Sequence, residues 1–352
     1  MSAPNVVLVL GASGVAGTHV VQYLERLEGW DVIAAARRPP PYASAAPFVP
    51  VDLGDPAACR EKLGALGHVT HLVYAAYAEE GATWAEQTAP NAAMLVNAMD
   101  ALEPAAPGLR HVTLLQGTKY YGNHLGPFRT PAKEGDPRHM PPNFYFDQEE
   151  ALRERRPGKA WTWTLLRPHF IAGIALGKPM NLVTSIAVYC AISKELGLPL
   201  RFPGPPESFR TLTQGTDADL LAKAAVWAGT EPACANHTFN ITNGDFLRWE
   251  NLWPLFAECF DMEPGPVQEI RLAEFMADKG PLWQDMVRTH GLAPNRLEDI
   301  VSWGFVDYVF RCAWDIMSDT TQCRRAGFDE YVDTEEMFVR LFGRLRALQI
   351  IP

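Results

Sequence analysis

The feature that most constrains the fold of this chain is a glycine pattern close to its N-terminus. An apolar run at 6–10 leads directly into Gly11, Gly14 and Gly17, and an amphipathic helical pattern follows. In such a Gly-x-x-Gly-x-x-Gly turn, the first glycine permits a tight bend, the second lets backbone approach a pyrophosphate, and the third lets helix and strand pack closely. The helix N-terminus then offers unpaired N–H groups to the anion, so the pattern predicts a dinucleotide-binding turn. Its predicted cofactor contacts are Gly11, Ser13, Gly14, Val15 and Gly17.

Strand-like and helical patterns alternate through the N-terminal half of the chain at the spacing of β–α–β units. The predicted strands are 6–10, 31–36, 47–53, 71–76, 111–116 and 161–166, and the predicted helices between them are 18–27, 56–66, 91–102 and 147–154. Strands joined in this order predict an α/β protein with a doubly wound parallel Rossmann sheet.

The pattern then becomes mainly helical, with long helices predicted at 180–196, 217–228 and 249–260. We therefore predict a dinucleotide-binding core over 1–172 and a smaller, mainly helical substrate lobe over 173–352. One strand pattern at 237–242 interrupts the lobe, and it is a candidate to rejoin the core sheet.

Composition excludes several other classes of protein. With 47% apolar and 20% charged residues, the chain of 352 residues has enough apolar material for a sizeable core and too little charge for disorder. Its net charge of −10 argues against nucleic acid or an anionic membrane as a partner. The sequence shows neither the ~18 apolar residues of a membrane span nor the basic start of a signal peptide. Six scattered cysteines without metal-ligand spacing predict reduced thiols in a cytoplasmic protein that holds no metal.

The end of the second predicted strand indicates which dinucleotide is bound. An NAD-preferring site places a carboxylate here to bind both ribose hydroxyls, whereas this chain has Arg37 and Arg38. A guanidinium group offers paired donors to phosphate oxygens, so the two arginines favour the 2′-phosphate of NADP. Arg37 is the first candidate and Arg38 the second, with a merely solvated strand end as the alternative for one of them.

The third and fourth predicted strands end in residues that suit the adenine and the path of the cofactor. Asp52 offers an acceptor to the adenine amino group, and Leu53 offers an apolar cover for the ring. Asp52 is nearly as well explained as the cap of the helix predicted from 56. Ala75 and Ala76 are small enough to leave room for the cofactor to cross the sheet edge.

The segments that carry catalysis in short-chain dehydrogenases depart here from the usual pattern. Those enzymes place a Ser or Thr after the fifth strand and a Tyr-x-x-x-Lys on the next helix, whereas this chain has Gly117 in the first place and Glu149 four residues after Tyr145. Interconversion of alcohol and ketone relies on a tyrosine, a lysine and a hydroxyl to move a proton. The departures therefore count against a carbonyl reductase or a sugar-nucleotide epimerase. Taken alone, Tyr145 could be an ordinary helix start and Lys119 a solvated loop lysine.

A resemblance to a known family rests most specifically on two segments, Gly-Thr-Lys-Tyr-Tyr at 117–121 and Asn-Phe-Tyr-Phe-Asp-Gln-Glu-Glu at 143–150. The chain resembles the progesterone 5β-reductase/iridoid synthase (PRISE) family of enone reductases, within the extended short-chain dehydrogenase/reductase superfamily. The resemblance covers nearly the whole chain and continues through 166–168, 180–182, 200–204, 217–220, 239–245 and 350–352.

The resemblance implies an NADPH-dependent reduction of the activated C=C bond of an enone or enal, with hydride delivered to the β-carbon. By position it makes Tyr145 the catalytic tyrosine and Lys119 the catalytic lysine. A tyrosine hydroxyl aimed at the carbonyl oxygen stabilises the enolate, while Lys119 would add positive potential near the tyrosine and the nicotinamide ribose. At this end of the sheet we also predict cofactor contacts from Gln116, Gly117 and Pro168.

An apolar pocket for the substrate is predicted around Tyr77, Phe144, Met180, Trp303 and Phe305, although core packing explains any single one of them better. The predicted partner is therefore a small-molecule enone or enal, and a homodimer is left open. Two other functions also stay open: a carbonyl reductase or NAD(P)-dependent epimerase/dehydratase on the same fold, and a non-catalytic NADP-binding sensor.

Overall fold

A parallel sheet of seven strands forms the centre of the computed structural model, which describes residues 5–79 and 83–352. The seven strands of this sheet and two further short strands, β7 and β8, are in chain order β1 (Asn5–Leu10), β2 (Trp30–Ala36), β3 (Phe48–Pro50), β4 (His71–Tyr74), β5 (His111–Leu115), β6 (Thr162–Pro168), β7 (Phe170–Ala172), β8 (Gly215–Asp217) and β9 (His237–Ile241). The order across the sheet is β3-β2-β1-β4-β5-β6-β9, with all neighbours parallel, and β7 pairs separately with β8. The chain winds outward in both directions from β1, which confirms the predicted doubly wound Rossmann sheet.

Helices cover both faces of the sheet and build the C-terminal part. They are α1 (Val15–Leu24), α2 (Pro56–Lys62), α3 (Trp84–Ala105), α4 (Phe144–Arg155), α5 (Leu182–Glu195), α6 (Pro206–Arg210), α7 (Ala218–Thr230), α8 (Trp249–Cys259), α9 (Leu272–Phe275), α10 (Gly280–Thr289), α11 (Leu297–Ile300), α12 (Trp303–Phe310), α13 (Thr321–Arg325) and α14 (Thr334–Ala347). On one face α1 packs against α7, and on the other α2, α3 and α4 pack together. Because both faces are covered, β1 is a continuous apolar run buried along almost its whole length.

A separate apolar core lies beyond the sheet, between α5 and the C-terminal helices. Trp253, Phe256, Phe338 and Phe342 are fully buried in it, and α5 contributes buried residues around nearly its whole circumference. The mainly helical C-terminal lobe that the sequence predicts therefore has its own packing centre.

The segment 215–241 returns to the sheet before the chain continues into the helical part. The predicted strand at 237–242 lies in the core sheet as β9, where Arg167 of β6 pairs with Asn240. The two cores are thus interleaved along the chain, and the predicted division after residue 172 stays a prediction.

Local chemistry explains where the elements differ from the predicted ones. The helix predicted at 91–102 begins at Trp84, because the N-cap residue Thr83 and Glu86 in the first turn form a reciprocal capping box. The strand predicted at 47–53 is only β3, a short edge strand. The strands β7 and β8 have three residues each and carry too little alternation to be predicted. Within the described residues, no helix combines the length and apolar character needed to cross a membrane.

Candidate active site

A cavity of about 1640 Å³ runs along the carboxyl ends of β1, β2, β4, β5 and β6 and extends beneath the helical lobe. In doubly wound sheets this edge is where ligands bind. Most of the residues predicted to bind cofactor or substrate meet at this cavity. Those that line it are Gly11, Ser13, Gly14, Val15, Arg37, Arg38, Asp52, Leu53, Ala75, Ala76, Tyr77, Gln116, Gly117, Lys119, Tyr145, Pro168, Met180 and Phe305.

The glycine turn has the geometry that its motif predicts. Gly11 has a φ of +82°, and a β-carbon there would lie 2.6 Å from the backbone of Ala75 and Ala76. At Gly17 a β-carbon would lie 2.2 Å from the Gly11 carbonyl oxygen, so this glycine permits the contact of α1 with the turn and does not line the cavity. Gly14 caps α1 without a side chain, which leaves space in front of the helix N-terminus.

Three basic side chains lie at the far end of the cavity from the sheet centre. Arg37 and Arg38 follow β2 and are exposed at the cavity edge. Lys178, from the loop before α5, lines the same cavity, and burial together with these two arginines lowers its pKa. Lys178 is absent from the predicted site, because no motif surrounds it and only the tertiary fold brings it here.

Asp52 and Asp55 have separate roles at the end of β3. The Asp52 carboxylate accepts a hydrogen bond from the Gly54 N–H at 2.9 Å, whereas Asp55 caps α2 by accepting from the N–H groups of Ala57 and Ala58. The alternative explanation of Asp52 as the helix cap is therefore wrong. Asp52 is exposed at the cavity mouth, and its contact with the adenine stays a prediction.

Tyr145 lies in the first turn of α4 and faces the cavity. Its N–H donates to Oδ1 of Asn143 at 3.0 Å, and Nδ2 of the same asparagine donates to the Lys119 carbonyl at 2.9 Å. One buried amide therefore connects the two residues predicted to be catalytic. The position of a β-carbon on Gly117 would be 3.2 Å from the Tyr145 hydroxyl. Burial raises the pKa of Tyr145, so the phenol is a neutral hydrogen-bond donor at physiological pH.

Lys119 is held between aromatic rings. Its ammonium group lies 4.4 Å from the centre of the Trp84 ring and 5.2 Å from that of Tyr308, distances at which the ring faces attract a cation. Burial lowers the pKa of Lys119, and Glu79 partly opposes the change. Over 5–79 and 83–352, no carboxylate forms an ion pair with it.

Trp84 and Tyr308 are site residues that the sequence analysis missed. Tyr308 could have been found, because Phe305, Tyr308 and Val309 follow the i, i+3, i+4 spacing of one helix face and all line the cavity. Trp303 lies two residues before Phe305 and points to a different side of α12, where it packs on the helical core. Trp303 is thus accounted for by core packing, the explanation that the sequence favours for any single one of these pocket candidates.

Phe144 likewise packs inside the protein and is absent from the cavity lining. It is 2% exposed and packs its ring against those of Tyr77, Trp84 and Tyr145, at centroid distances of 5.9, 4.6 and 4.5 Å. It supports the cavity wall from behind, because the first residue of α4 points into the protein when the second faces the cavity.

Two neutral histidines, also absent from the predicted site, line the cavity near Lys119. Burial lowers the pKa of His124 and His169 to about 4 each, and the Lys119 charge contributes at His124. His169 shares a hydrogen bond of 2.7 Å with the Thr118 hydroxyl. Lys119 therefore supplies the positive charge in this region.

The parallel sheet, the glycine turn and the tyrosine at the strand ends define a fold of the extended short-chain dehydrogenase/reductase type. Solved structures agree at the level of the fold. UDP-glucose 4-epimerase of Thermotoga maritima matches with a TM-score of 0.70 and 16% identity, over 97% of this chain and 99% of that one. RMD of Pseudomonas aeruginosa, solved with NADPH, matches with a TM-score of 0.67 and 16% identity, over 96% of each chain.

The chain belongs to the PRISE-like Rossmann-fold family, whose model matches residues 52–352. The (S)-8-oxocitronellyl enol synthase of Nepeta racemosa is 34% identical over an alignment that covers 99% of this chain and 93% of the relative. The 3-oxo-Δ(4,5)-steroid 5β-reductase of Arabidopsis thaliana is 32% identical, over 100% of this chain and 94% of the relative. The family indicated by the segments at 117–121 and 143–150 is confirmed.

Proposed function

We propose that this protein is an NADPH-dependent reductase of the activated C=C bond in α,β-unsaturated carbonyl compounds, the enones and enals. The observation that carries the proposal is the Tyr145 phenol, which lines the cavity beside Gly117 and makes no hydrogen bond to another described residue. A free donor at this point suits a substrate oxygen. The names of two relatives, a 3-oxo-steroid 5β-reductase and an 8-oxocitronellyl enol synthase, support chemistry next to a carbonyl group.

The residues along the sheet edge fit NADPH. Gly11 and Gly14 leave the backbone at the start of α1 open to a pyrophosphate, because neither presents a side chain there. Arg37, Arg38 and Lys178 supply three cationic groups for the 2′-phosphate. When bound, NADPH supplies the hydride that adds to the substrate β-carbon.

In this proposal Tyr145 acts on the substrate oxygen. Addition at the β-carbon moves an electron pair onto that oxygen, and the neutral phenol donates a hydrogen bond to the enolate that forms. Because no substrate hydroxyl has to lose a proton, a lysine beneath the tyrosine is not required. Lys119 instead contributes a positive potential from its position between Trp84 and Tyr308. Uptake of a proton from water at the α-carbon completes the saturated carbonyl product.

The chemistry of a carbonyl reductase or epimerase is less well supported by these residues. Glu149 occupies the usual lysine position, lies outside the cavity lining and pairs with Arg167. Gly117 provides no hydroxyl. The likeness to UDP-glucose 4-epimerase concerns the fold alone, since the two sequences share only 16% identity.

The experiment is NADPH oxidation against cyclic enones, open-chain enals, 3-keto-4-ene steroids and the matching saturated ketones, with identification of the products. NADPH deuterated at C4 should place the label on the β-carbon. Alcohol products labelled at the carbonyl carbon would support the carbonyl reductase, and NADPH binding without turnover across the panel would support a sensor. Either result overturns the proposal.

Two tyrosine variants test the role of the phenol. Tyr145→Phe should lower kcat by about 100-fold or more, as loss of an oxyanion donor does. Tyr308→Phe removes another cavity hydroxyl, one that is buried without a partner among the described residues, and should retain most of the activity. An active Tyr145→Phe with an inactive Tyr308→Phe would move the role to Tyr308.

We also propose a cytoplasmic location, on the state of the cysteines. All six are free thiols, and five of them are buried. Such thiols are expected in a reducing compartment.

A further inference from the structure

A chain of buried polar side chains starts on α4, crosses to the sheet and returns to α4 at Tyr145. The Arg167 guanidinium donates through Nη2 to Oε2 of Glu149 at 3.2 Å and through Nε to Oε1 of Gln116 at 2.9 Å. Gln116 then donates through Nε2 to the backbone carbonyl of Tyr145 at 2.8 Å. Glu149 and Tyr145 are one helical turn apart, so the chain closes a loop on the helix that carries the phenol.

The surroundings of Arg167 hold its guanidinium in one orientation. Arg167 is 1% exposed, and its Cζ atom lies 3.2 Å from the centre of the Tyr120 ring, as in a stacked contact. Nη1 donates to the Tyr121 hydroxyl at 3.2 Å and to the Glu134 carbonyl at 3.3 Å. The planar group therefore has little freedom to turn and presents Nε to Gln116 in a defined direction.

Arg167 determines which way the Gln116 amide points. A glutamine amide has a donor end and an acceptor end. Since Nε of Arg167 can only donate, it selects the amide orientation that places the oxygen towards Arg167 and the NH₂ towards the Tyr145 carbonyl. In the opposite orientation, donor would face donor and carbonyl would face carbonyl.

Both peptide groups of Tyr145 are thus held by side-chain amides. Asn143 accepts from its N–H, and Gln116 donates to its C=O. We propose that Arg167 and Glu149 are positioning residues: through Gln116 they fix the backbone of Tyr145 and, with it, the direction of the phenol towards the substrate oxygen. The proposal rests on the proposed function, in which Tyr145 stabilises that oxygen.

A role in stability alone explains this arrangement less well than a role in positioning Tyr145 does. Buried ion pairs contribute little net stability compared with apolar side chains of similar size. Glu149 stands at the sequence position where an ordinary short-chain dehydrogenase has its lysine, on the helix that carries Tyr145. Displacement of a reacting group by about 1 Å can cost on the order of 100-fold in rate.

The first test separates positioning from binding. Arg167→Lys keeps the charge near Glu149 but cannot also hold Gln116 through a fixed Nε, so kcat should fall by about 10-fold or more. KM for the enone and the Kd for NADPH should stay within about twofold of wild type. Glu149→Gln keeps an acceptor for Arg167 and should retain more kcat than Glu149→Ala. An unchanged kcat in folded Arg167→Lys, or equal losses in the two Glu149 variants, overturns the proposal.

Arg153 provides the matched control. It binds the other oxygen of Glu149 at 2.8 Å from a side chain that is 53% exposed, and none of its hydrogen bonds reaches Gln116. Arg153→Gln should leave kcat unchanged. If it lowers kcat as much as Arg167→Lys does, the effect comes from general support of α4, and the positioning role is wrong. If Arg167→Lys does not fold, the comparison of Glu149→Gln with Glu149→Ala carries the test.

A double-mutant cycle shows whether the effect passes through the phenol. In the Tyr145→Phe background, Arg167→Lys should cause little further loss of the residual product formation, because the group that it positions is already gone. Equal losses in both backgrounds overturn the proposal. Should Tyr145→Phe form no product, the comparison of Glu149→Gln with Glu149→Ala and the Arg153→Gln control carry the test. The proposed function fails independently, through an active Tyr145→Phe or alcohol products.

Discussion

The hydroxyl of Tyr145 lies 3.2 Å from the point that a β-carbon on Gly117 would occupy. Gly117 has an extended backbone that any residue can adopt, so its backbone conformation does not require glycine. What glycine provides is space: the phenol approaches the end of β5 where other short-chain dehydrogenases carry a hydroxyl side chain. The two departures from the usual pattern therefore bear on the same tyrosine: Gly117 lies beside its hydroxyl, and Glu149 lies one turn further along its helix.

Gly117→Ala should lower kcat by roughly tenfold, because the added methyl group displaces the Tyr145 hydroxyl by a few tenths of an ångström or turns the ring. The Kd for NADPH should change far less. The matched control is Gly108→Ala, since a β-carbon there meets no atom within 4 Å. Steady-state kinetics together with NADPH titration measure both effects, and equal activity of the two variants would show that the contact is unimportant.

Removal of the arginines after β2 should weaken the preference for NADPH over NADH. Arg37→Ala should lower the ratio of kcat/KM for the two cofactors by about tenfold or more, because charge-assisted bonds to the 2′-phosphate are lost. Arg38→Ala and Lys178→Met should have smaller effects in the same direction. Arg60→Ala, on α2 outside the cavity lining, is the control. A ratio unaffected by all three cavity variants would remove these residues from the phosphate site.

The charge on Lys119 should set the alkaline limit of activity. Burial lowers its pKa below the usual 10.5, so the cation is lost, and kcat should fall, as the pH rises through that lowered pKa. Lys119→Arg keeps a cation at higher pH and should move this limit upward. Lys119→Met should be slow with no such limit, while Lys62→Met on α2 should match wild type. A pH profile of kcat up to pH 10.5 that is identical in all variants would exclude the electrostatic role.

His71 and His111 should make the fold sensitive to acid. Burial lowers their pKa values from 6.5 to about 4 and about 3 respectively, so the native state binds fewer protons than the unfolded chain below pH 6.5. Their contribution to stability is complete above pH 6.5 and is lost as the pH falls towards 4. Melting temperatures between pH 7 and 4 should decline less steeply for His71→Gln than for wild type. The exposed His237→Gln is the control and should decline like wild type.

The fold and the glycine turn were predictable because their signals are local. The glycines at 11, 14 and 17 and the apolar run of β1 specify a strand, a turn and a helix within a few neighbouring residues. The segment around Tyr145 could likewise be recognised from the sequence, because it resembles a segment of a known family. These features needed no knowledge of which distant segments meet.

Contacts between distant segments were the part that could not be predicted. Trp84 and Tyr308 reach the Lys119 ammonium group from α3 and α12, and Lys178, from the loop before α5, lines the same cavity as the arginines that follow β2. The same limit applies to Trp303 and Phe305, since an aromatic run does not reveal which helix face is turned to a cavity.

The sequence by itself determined the doubly wound sheet, the glycine turn and the tyrosine at the strand ends. Backbone periodicity and glycine conformation are properties of short segments, and they can be read from neighbouring residues. Only the tertiary structure decided that Glu149 faces Arg167, that Arg167 orients Gln116, and that rings surround Lys119. Those contacts depend on how helices and strands from separate parts of the chain pack against each other, and packing is a property of the whole fold.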